Sequence, residues 1–181
     1  MDIQTDLCTV RSWRRADRAS LARHANNRRI WRNMRDAFPH PYTLADADAW
    51  LDRAESVRPE TNFAIAVRDE AVGGIGLTLH SDVHRYSAEI GYWLGEAFWG
   101  RGITTAAVTA LTEYAFSSLD LRRLEAGIYS WNPASMRVLE KSGYRREGVM
   151  RHSVVKDGQL IDQVLYAATR DDALSLGEAV A

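Results

Sequence analysis

The stretch that decides the fold is Glu89-Ile90-Gly91-Tyr92-Trp93-Leu94-Gly95-Glu96-Ala97-Phe98-Trp99-Gly100-Arg101-Gly102-Ile103-Thr104-Thr105-Ala106-Ala107. It opens as a strand ending at Leu94, crosses a short loop and enters a helix at Ile103. Gly100 and Gly102 let the backbone turn tightly at the helix entry and expose successive N–H groups. The first helical N–H groups have no partner inside the helix, and the helix dipole adds about half a positive charge there. Such an end is a cradle for a pyrophosphate, and Thr104 and Thr105 add hydroxyl donors. A glycine-rich turn of purely structural use has the same composition, so this loop alone leaves both readings open.

Two other phosphate loops fit less well. The dinucleotide fingerprint shares Gly100-x-Gly102, but Thr105 stands where its third glycine or alanine belongs. Several residues also separate Leu94 from Gly100, where the fingerprint turns directly from strand to helix. Glu125 does lie where a ribose-binding acid would, so a nicotinamide-dependent enzyme stays an alternative. The loop of nucleoside triphosphatases needs a lysine after its last glycine, and that position holds Ile103.

Working outward, Ile103 to Ser118 carries Ile103, Ala107, Ala110, Leu111 and Tyr114 on one helical stripe. Leu124 to Tyr129 reads as a strand. Asn132-Pro133 opens a further helix with Pro133 at its first position, and Gly143 stops it. Tyr144 to Lys156 and Gln159 to Thr169 form a hairpin around Asp157-Gly158. The chain beyond Asp172 reads as a short helix or a frayed end. Before the central stretch, Phe63, Ile65 and Val67 alternate as in a half-buried strand, with a turn at Asp69-Glu70. Val72 to His80 is the next strand, and its Gly73, Gly74 and Gly76 imply close backbone approach or a bulge. Tyr86 to Leu94 is a third. Strands this closely spaced read as antiparallel.

Further back, Thr43 caps a helix running to about Glu55, with Asp46 completing a near capping box. That helix is expected to bury Leu44, Ala47, Trp50, Leu51 and Ala54. Pro39 and Pro41 end whatever precedes it. Asp17 to Ala25 and Arg28 to Asp36 read as short helices, with Leu21, Ile30 and Met34 inward. Leu7 to Trp13 reads as the first strand.

The 181 residues suit one domain over 1–181. A net charge of -1 gives no general attraction to nucleic acid. The run Arg28, Arg29, Arg32 and Arg35 reads as a solvated helix face. One cysteine, Cys8, excludes an intrachain disulfide and fits a cytoplasmic chain. It reads as a strand residue, with nothing in Asp6-Leu7-Cys8-Thr9-Val10 to stabilise a thiolate. The start of the chain lacks a signal-peptide pattern, and no apolar run approaches the roughly 18 residues of a membrane span. No metal site is expected. His80 and His84 stand four apart near a strand end, where metal pairing is a minor reading. His152 is at most a substrate contact.

Several segments in register resemble one family. Trp99-Gly100-Arg101-Gly102-Ile103-Thr104 is similar to the acetyl-coenzyme A loop of the GNAT superfamily, Gln/Arg-x-x-Gly-x-Gly/Ala. It departs at Trp99, in place of Gln or Arg, and at Thr104, in place of Gly or Ala. Phe38-Pro39-His40-Pro41-Tyr42-Thr43 with Asp46-Ala47 and Trp50-Leu51 resembles the entry to an early helix in the ribosomal-protein N-terminal acetyltransferase branch. Ile90-Gly91-Tyr92-Trp93-Leu94 resembles its fourth strand. Asn132-Pro133-Ala134-Ser135 and Leu139-Glu140-Lys141-Ser142-Gly143-Tyr144 resemble its later helix and turn, and Asp162 and Tyr166 fit its closing strand.

The resemblance implies a mixed α/β, GNAT-like fold. Its central, mostly antiparallel, twisted sheet of about seven strands is flanked by helices, with a strand–helix–strand core. It implies acetyl-coenzyme A as co-substrate, no metal, and direct transfer to a primary amine. By the same resemblance the backbone of Trp93 and Leu94 pairs with the pantetheine arm. Trp99, Gly100, Arg101, Gly102, Ile103, Thr104 and Thr105 hold the pyrophosphate. Asn132 binds pantetheine or amine, unless it only caps the helix that Pro133 opens. Ser135 approaches the thioester sulfur, unless it only bonds along its helix.

Glu89 and Asp162 are the candidate bases, each with a structural reading beside it: a solvent-facing strand residue and a loop-bonding carboxylate. The acceptor is a peptide N-terminus or a small molecule, with substrate choice in the Arg28 to Tyr42 region and the last hairpin. A GNAT fold that senses coenzyme A without turnover is the second reading. A homodimer is neither required nor excluded by the composition.

Overall fold

The structure, a computed structural model, describes residues 1–172. The expected tail beyond Asp172 lies outside them. The strands are β1 (Asp2–Gln4), β2 (Thr9–Ser12), β3 (Asn62–Val67), β4 (Glu70–Leu79), β5 (Ser87–Leu94), β6 (Arg123–Tyr129), β7 (Arg145–Lys156) and β8 (Gln159–Thr169). They form one eight-stranded sheet in the order β1-β2-β3-β4-β5-β6-β8-β7. The helices are α1 (Arg18–Ala25), α2 (Arg28–Trp31), α3 (Leu44–Ser56), α4 (Ile103–Ser118) and α5 (Pro133–Lys141). The sheet is mostly antiparallel, as expected; β5 and β6 run parallel.

The described chain divides into two compact units, Met1–Gly76 with Tyr92–Ala107, and Leu77–Gly91 with residues 108–172. In the first unit β1, β2, β3 and β4 follow one another as antiparallel neighbours. Helices α1 and α3 cover this sheet, and Leu21, Ala25, Ala47, Leu51 and Ala54 form the core with Trp13, Tyr42, Ala64 and Ala71. α3 begins where its sequence indicates. The Thr43 hydroxyl accepts from the Asp46 N–H while the Asp46 carboxylate accepts from the Thr43 N–H, satisfying two donors at the helix start.

Several expectations need correction here. β1 is an eighth strand, carried by its pairing with β2 in the register Ile3 with Val10. Cys8 precedes β2 and is not in a strand; Thr5 Oγ1 donates to its carbonyl in the turn between β1 and β2. β3 is buried on both faces, because Ala64 and Ala66 are as covered as Phe63 and Ile65. The β3–β4 turn falls one residue early, at Arg68-Asp69, both at positive φ (49° and 68°) as a tight hairpin turn requires. α2 is one turn long, and Met34 beyond it is only half-buried. Leu44 is 46% exposed, since the first residue of α3 stands at its open end.

In the second unit β5 pairs with β6 over Ser87–Glu89 and Arg123–Glu125, and that ladder ends at Glu89 although β5 continues. β6 pairs along its whole length with β8, and β8 with β7. The β7–β8 turn is Asp157-Gly158, at φ 53° and 73°. Gly143, at φ 83°, follows α5 and lets the chain reverse into β7. Tyr166, Leu111, Leu124 and Leu139 are fully buried. Two polar links tie this core: Thr112 Oγ1 with Tyr144 Oη at 2.8 Å, and Tyr166 Oη donating to Glu140 Oε1 at 2.8 Å.

Candidate active site

The donor end is built within the first unit. A Cβ on Gly73 of β4 would lie 2.5 Å from the Trp93 carbonyl oxygen, and one on Gly74 would lie 2.7 Å from the Trp93 indole nitrogen. The glycine run of β4 therefore admits both the backbone of Trp93 and its ring. The ring packs edge-on against Phe38, 5.8 Å between centroids, and Phe38 packs against Tyr42 at 5.1 Å. Trp93 and Leu94 close β5. Gly95 then leaves the strand, its N–H donating to the Val72 carbonyl at 2.7 Å.

A 3-10 turn, Glu96–Phe98, leads to the loop. Gly100 and Gly102 both take left-handed backbone angles, φ 75° and 77°, which other residues adopt only with strain. α4 starts at Ile103, and its first backbone bond runs from the Ala106 N–H to the Gly102 carbonyl. The amides of Ile103, Thr104 and Thr105 belong to the N-terminal turn of α4. A Cβ added at Gly100 would meet nothing within 4 Å, and Arg101 is exposed with its guanidinium over the Phe98 ring at 5.6 Å. This arrangement fits an anionic diphosphate on two grounds: the positive end of a sixteen-residue helix, and an exposed arginine beside it. Those are the needs of a coenzyme A pyrophosphate.

The loop is held by contacts that the sequence did not reveal. The Trp99 indole N–H donates to the Leu94 carbonyl at 2.7 Å, tying the loop to the end of β5. Glu96 accepts from the Asn27 carboxamide at 2.7 Å and pairs with Arg29. The Arg29 guanidinium also lies over the Trp99 ring, 5.1 Å from its centroid. His24 packs edge-on against Phe98 and bonds Glu70 at 2.6 Å. That bond, then the Arg23 guanidinium, holds the Glu70 carboxyl below its ordinary value. Behind the loop the Cys8 sulfur donates to the Ile103 carbonyl at 3.8 Å. Burial pushes this thiol up, which keeps it protonated and unreactive.

The remaining candidates belong to the second unit. Asn132 caps α5: its side-chain oxygen accepts from the Ser135 N–H at 3.2 Å. The capping reading of Asn132 therefore holds, and the carboxamide nitrogen is what remains for a ligand. Ser135 sits in the first turn of α5, half-buried. Glu89 is half-buried on β5 and stands directly opposite Glu125 in the parallel register, so both side chains leave the same face. Arg123 draws Glu125 toward itself at 3.0 Å and clamps Glu147 at 2.6 and 2.8 Å. Asp162 on β8 accepts from the His152 N–H at 2.8 Å, where β7 bulges and His152 is at φ 50°. Its carboxylate thus holds a distorted strand, the structural reading of that residue. His80 and His84 pack edge-on, 6.4 Å apart. Among the described residues no group of three metal-binding side chains gathers around them or elsewhere.

Known proteins match this pattern. The family model described as an acetyltransferase (GNAT) domain matches residues 8–145. A probable N-acetyltransferase of Bacillus subtilis, YjcK, is 41% identical over 116 residues, 62% of this chain and 64% of that protein. The ribosomal-protein-serine acetyltransferase of Escherichia coli is 33% identical over 109 residues, 60% of each. The crystal structure of Mycobacterium smegmatis RimJ in complex with a coenzyme A disulfide has a TM-score of 0.81 at 25% identity, over 95% of this chain and 88% of that one. The chain spans 56–64% of the length of the first curated relatives it matches. The family model takes in the strand β5, the glycine loop, α4 and the Asn132–Ser135 turn alike, and the chain belongs to the GNAT acetyltransferase family.

Proposed function

We propose that this chain transfers the acetyl group of acetyl-coenzyme A directly to a primary amine. The observation that carries the reading is the pair of left-handed glycines, Gly100 and Gly102, opening onto the first turn of α4 just after β5 ends at Leu94. The donor assignments follow from it. Trp93 and Leu94 offer backbone groups to the pantetheine arm as an added strand would. The amides and side chains from Trp99 to Thr105 receive the pyrophosphate, with Arg101 as its charged partner. Asn132 contributes its carboxamide nitrogen to pantetheine or amine. The whole chain is read as one functional domain, since the unit boundaries fall inside β4, β5 and α4.

In this reading the neutral amine attacks the thioester carbonyl carbon. A C–N bond forms as the C–S bond breaks. The Leu94 N–H stabilises the developing oxyanion. One proton leaves the amine for a base, Ser135 supplies one to the departing thiolate, directly or through water, and the proton held by the base returns to Ser135 through solvent. The amine sets how much base is needed. A lysine-type amine near pKa 10.4 costs about 4.6 kcal/mol to deprotonate at pH 7, and an α-amine near 7.8 only about 1. Glu89 is the preferred base. Asp162 is the weaker candidate, because its carboxylate already holds the β7 bulge. An α-amine, of a peptide N-terminus or a small molecule, is the preferred acceptor. Relatives named for ribosomal-protein acetylation support that preference.

The test is turnover on a panel of peptide and small-molecule amines with acetyl-coenzyme A, for the native chain and Glu89→Gln. The reading expects acetylation of at least one class. It expects a loss of about 100-fold or more in kcat for Glu89→Gln, with unchanged acetyl-coenzyme A affinity. Binding of acetyl-coenzyme A without acetylation of any amine would point to a sensing module. Native turnover in Glu89→Gln across the pH range would remove Glu89 from the chemistry.

A further inference from the structure

We propose that Arg29, outside the loop and far from it in sequence, is a positioning residue for the donor loop. This rests on the reading of that loop as the acetyl-coenzyme A site. Two of the loop's fastenings meet at Trp99. One is internal: the Trp99 indole N–H on the Leu94 carbonyl, 2.7 Å, which fixes the loop's first residue against the end of β5. The other comes from α2. Arg29 covers the Trp99 ring at 5.1 Å and pairs with Glu96, while Asn27, the cap of α2, donates to the second Glu96 oxygen at 2.7 Å. Both carboxylate oxygens of Glu96 and one face of Trp99 are thereby engaged by two residues of one short segment. Arg29 thus presses the ring whose N–H reaches Leu94, and Leu94 is the residue proposed to meet the thioester. A displacement of α2 moves the mouth of the pyrophosphate cradle.

The chemistry of these contacts separates positioning from folding. The Arg29 side chain is 67% exposed and that of Glu96 38%. An exposed pair of this kind contributes little to global stability and is screened by salt. The ring contact is the cation–π kind, modest at an exposed site. Removing Arg29 therefore loosens the loop and leaves the fold intact. Lysine keeps the charge and the ring contact but loses the planar fork.

The experiment measures KM for acetyl-coenzyme A, kcat, the KM of a fixed amine and the thermal midpoint, at low and high salt. The variants are Arg29→Gln, Arg29→Lys and Trp99→Phe. Arg29→Gln is expected to raise KM for acetyl-coenzyme A about five-fold at low salt, the combined loss of an exposed ion pair and a cation–π contact. It should leave the thermal midpoint in place. Arg29→Lys should recover part of the loss. In the native chain KM should rise with salt, and in Arg29→Gln that slope should flatten. Trp99→Phe keeps an aromatic face, though a smaller one, and removes the N–H; it should raise the same KM about five-fold or more, the worth of one hydrogen bond and part of the ring contact. If Arg29→Gln keeps native KM and salt slope while native protein binds acetyl-coenzyme A, the positioning role is wrong and the donor site stands. If native protein does not bind acetyl-coenzyme A, the underlying reading fails instead.

Discussion

A Cβ on Gly73 would meet the Trp93 carbonyl oxygen, a backbone atom that cannot swing aside. Gly73→Ala is therefore expected to destabilise by about 1–3 kcal/mol, as overpacking does, and to weaken acetyl-coenzyme A binding as Trp93 shifts. Gly91→Ala is the control, since its added carbon meets nothing within 4 Å. Denaturant unfolding of the two variants checks this, and equal stability would show that β4 and β5 yield at Gly73. A second residue-scale prediction concerns Arg11 and Asp17, 2% and 5% exposed, joined by two bonds of 2.8 and 2.9 Å. The Arg11 Nε is buried without a hydrogen bond and lies 3.8 Å from Asp69. Asp17→Ala strands a buried guanidinium and should cost about 3–5 kcal/mol. Asp69→Ala, at an exposed carboxylate, should cost about 1 kcal/mol or less. At this scale Gly73, Gly100 and Gly102 were legible in the sequence, because glycine runs announce close approach and positive φ. The Arg29–Glu96 pair was not. Its members are 67 positions apart, and nothing local to either marks the other.

Elements with their own start and stop signals emerged with the expected bounds. α4 runs Ile103–Ser118, α5 begins at Pro133, and α3 begins after Thr43 with both arms of its capping box made. Elements that owe their form to partners did not. β1 is three residues with no periodicity and is strand only because β2 lies beside it. In β3 the alternation of Phe63, Ile65 and Val67 concealed the burial of Ala64 and Ala66, and Ala64 lies in the core that α1 and α3 build. The segment leading into α3 also carries a pH dependence. Burial, and secondarily the Asp46 carboxylate, pushes the Tyr42 phenol up to about 12 from 10.0. Above pH 10 the unfolded chain loses this proton first, so the folded state binds more protons and stability falls as pH rises. Cys8 adds to the same alkaline loss from its ordinary 9.0. Tyr42→Phe should therefore flatten the decline between pH 10 and about 12, read by unfolding at neutral and alkaline pH. An unchanged slope would mean that the phenol ionises in the folded state without penalty.

For the molecule as a whole, order and spacing of elements was the legible part. The close-set strands, the strand–helix–strand passage through β5, α4 and β6, and the final hairpin all appear where the sequence puts them. The sequence did not separate Glu89 from Asp162 as candidate bases, because the two differ in surroundings and not in type. Only the structure shows one facing Glu125 across a parallel ladder and the other holding a bulge. The glycine loop at the head of α4 is proposed to receive acetyl-coenzyme A. Thermal unfolding with and without saturating acetyl-coenzyme A, with NAD as the comparison ligand, tests it most directly. A ligand at 100 times its dissociation constant adds about 2.7 kcal/mol, which for a chain of this size raises the midpoint by roughly 5–10 °C. That rise is expected with acetyl-coenzyme A and none with NAD; no rise with acetyl-coenzyme A, or a rise with NAD, would mean that the loop does not hold the acetyl donor.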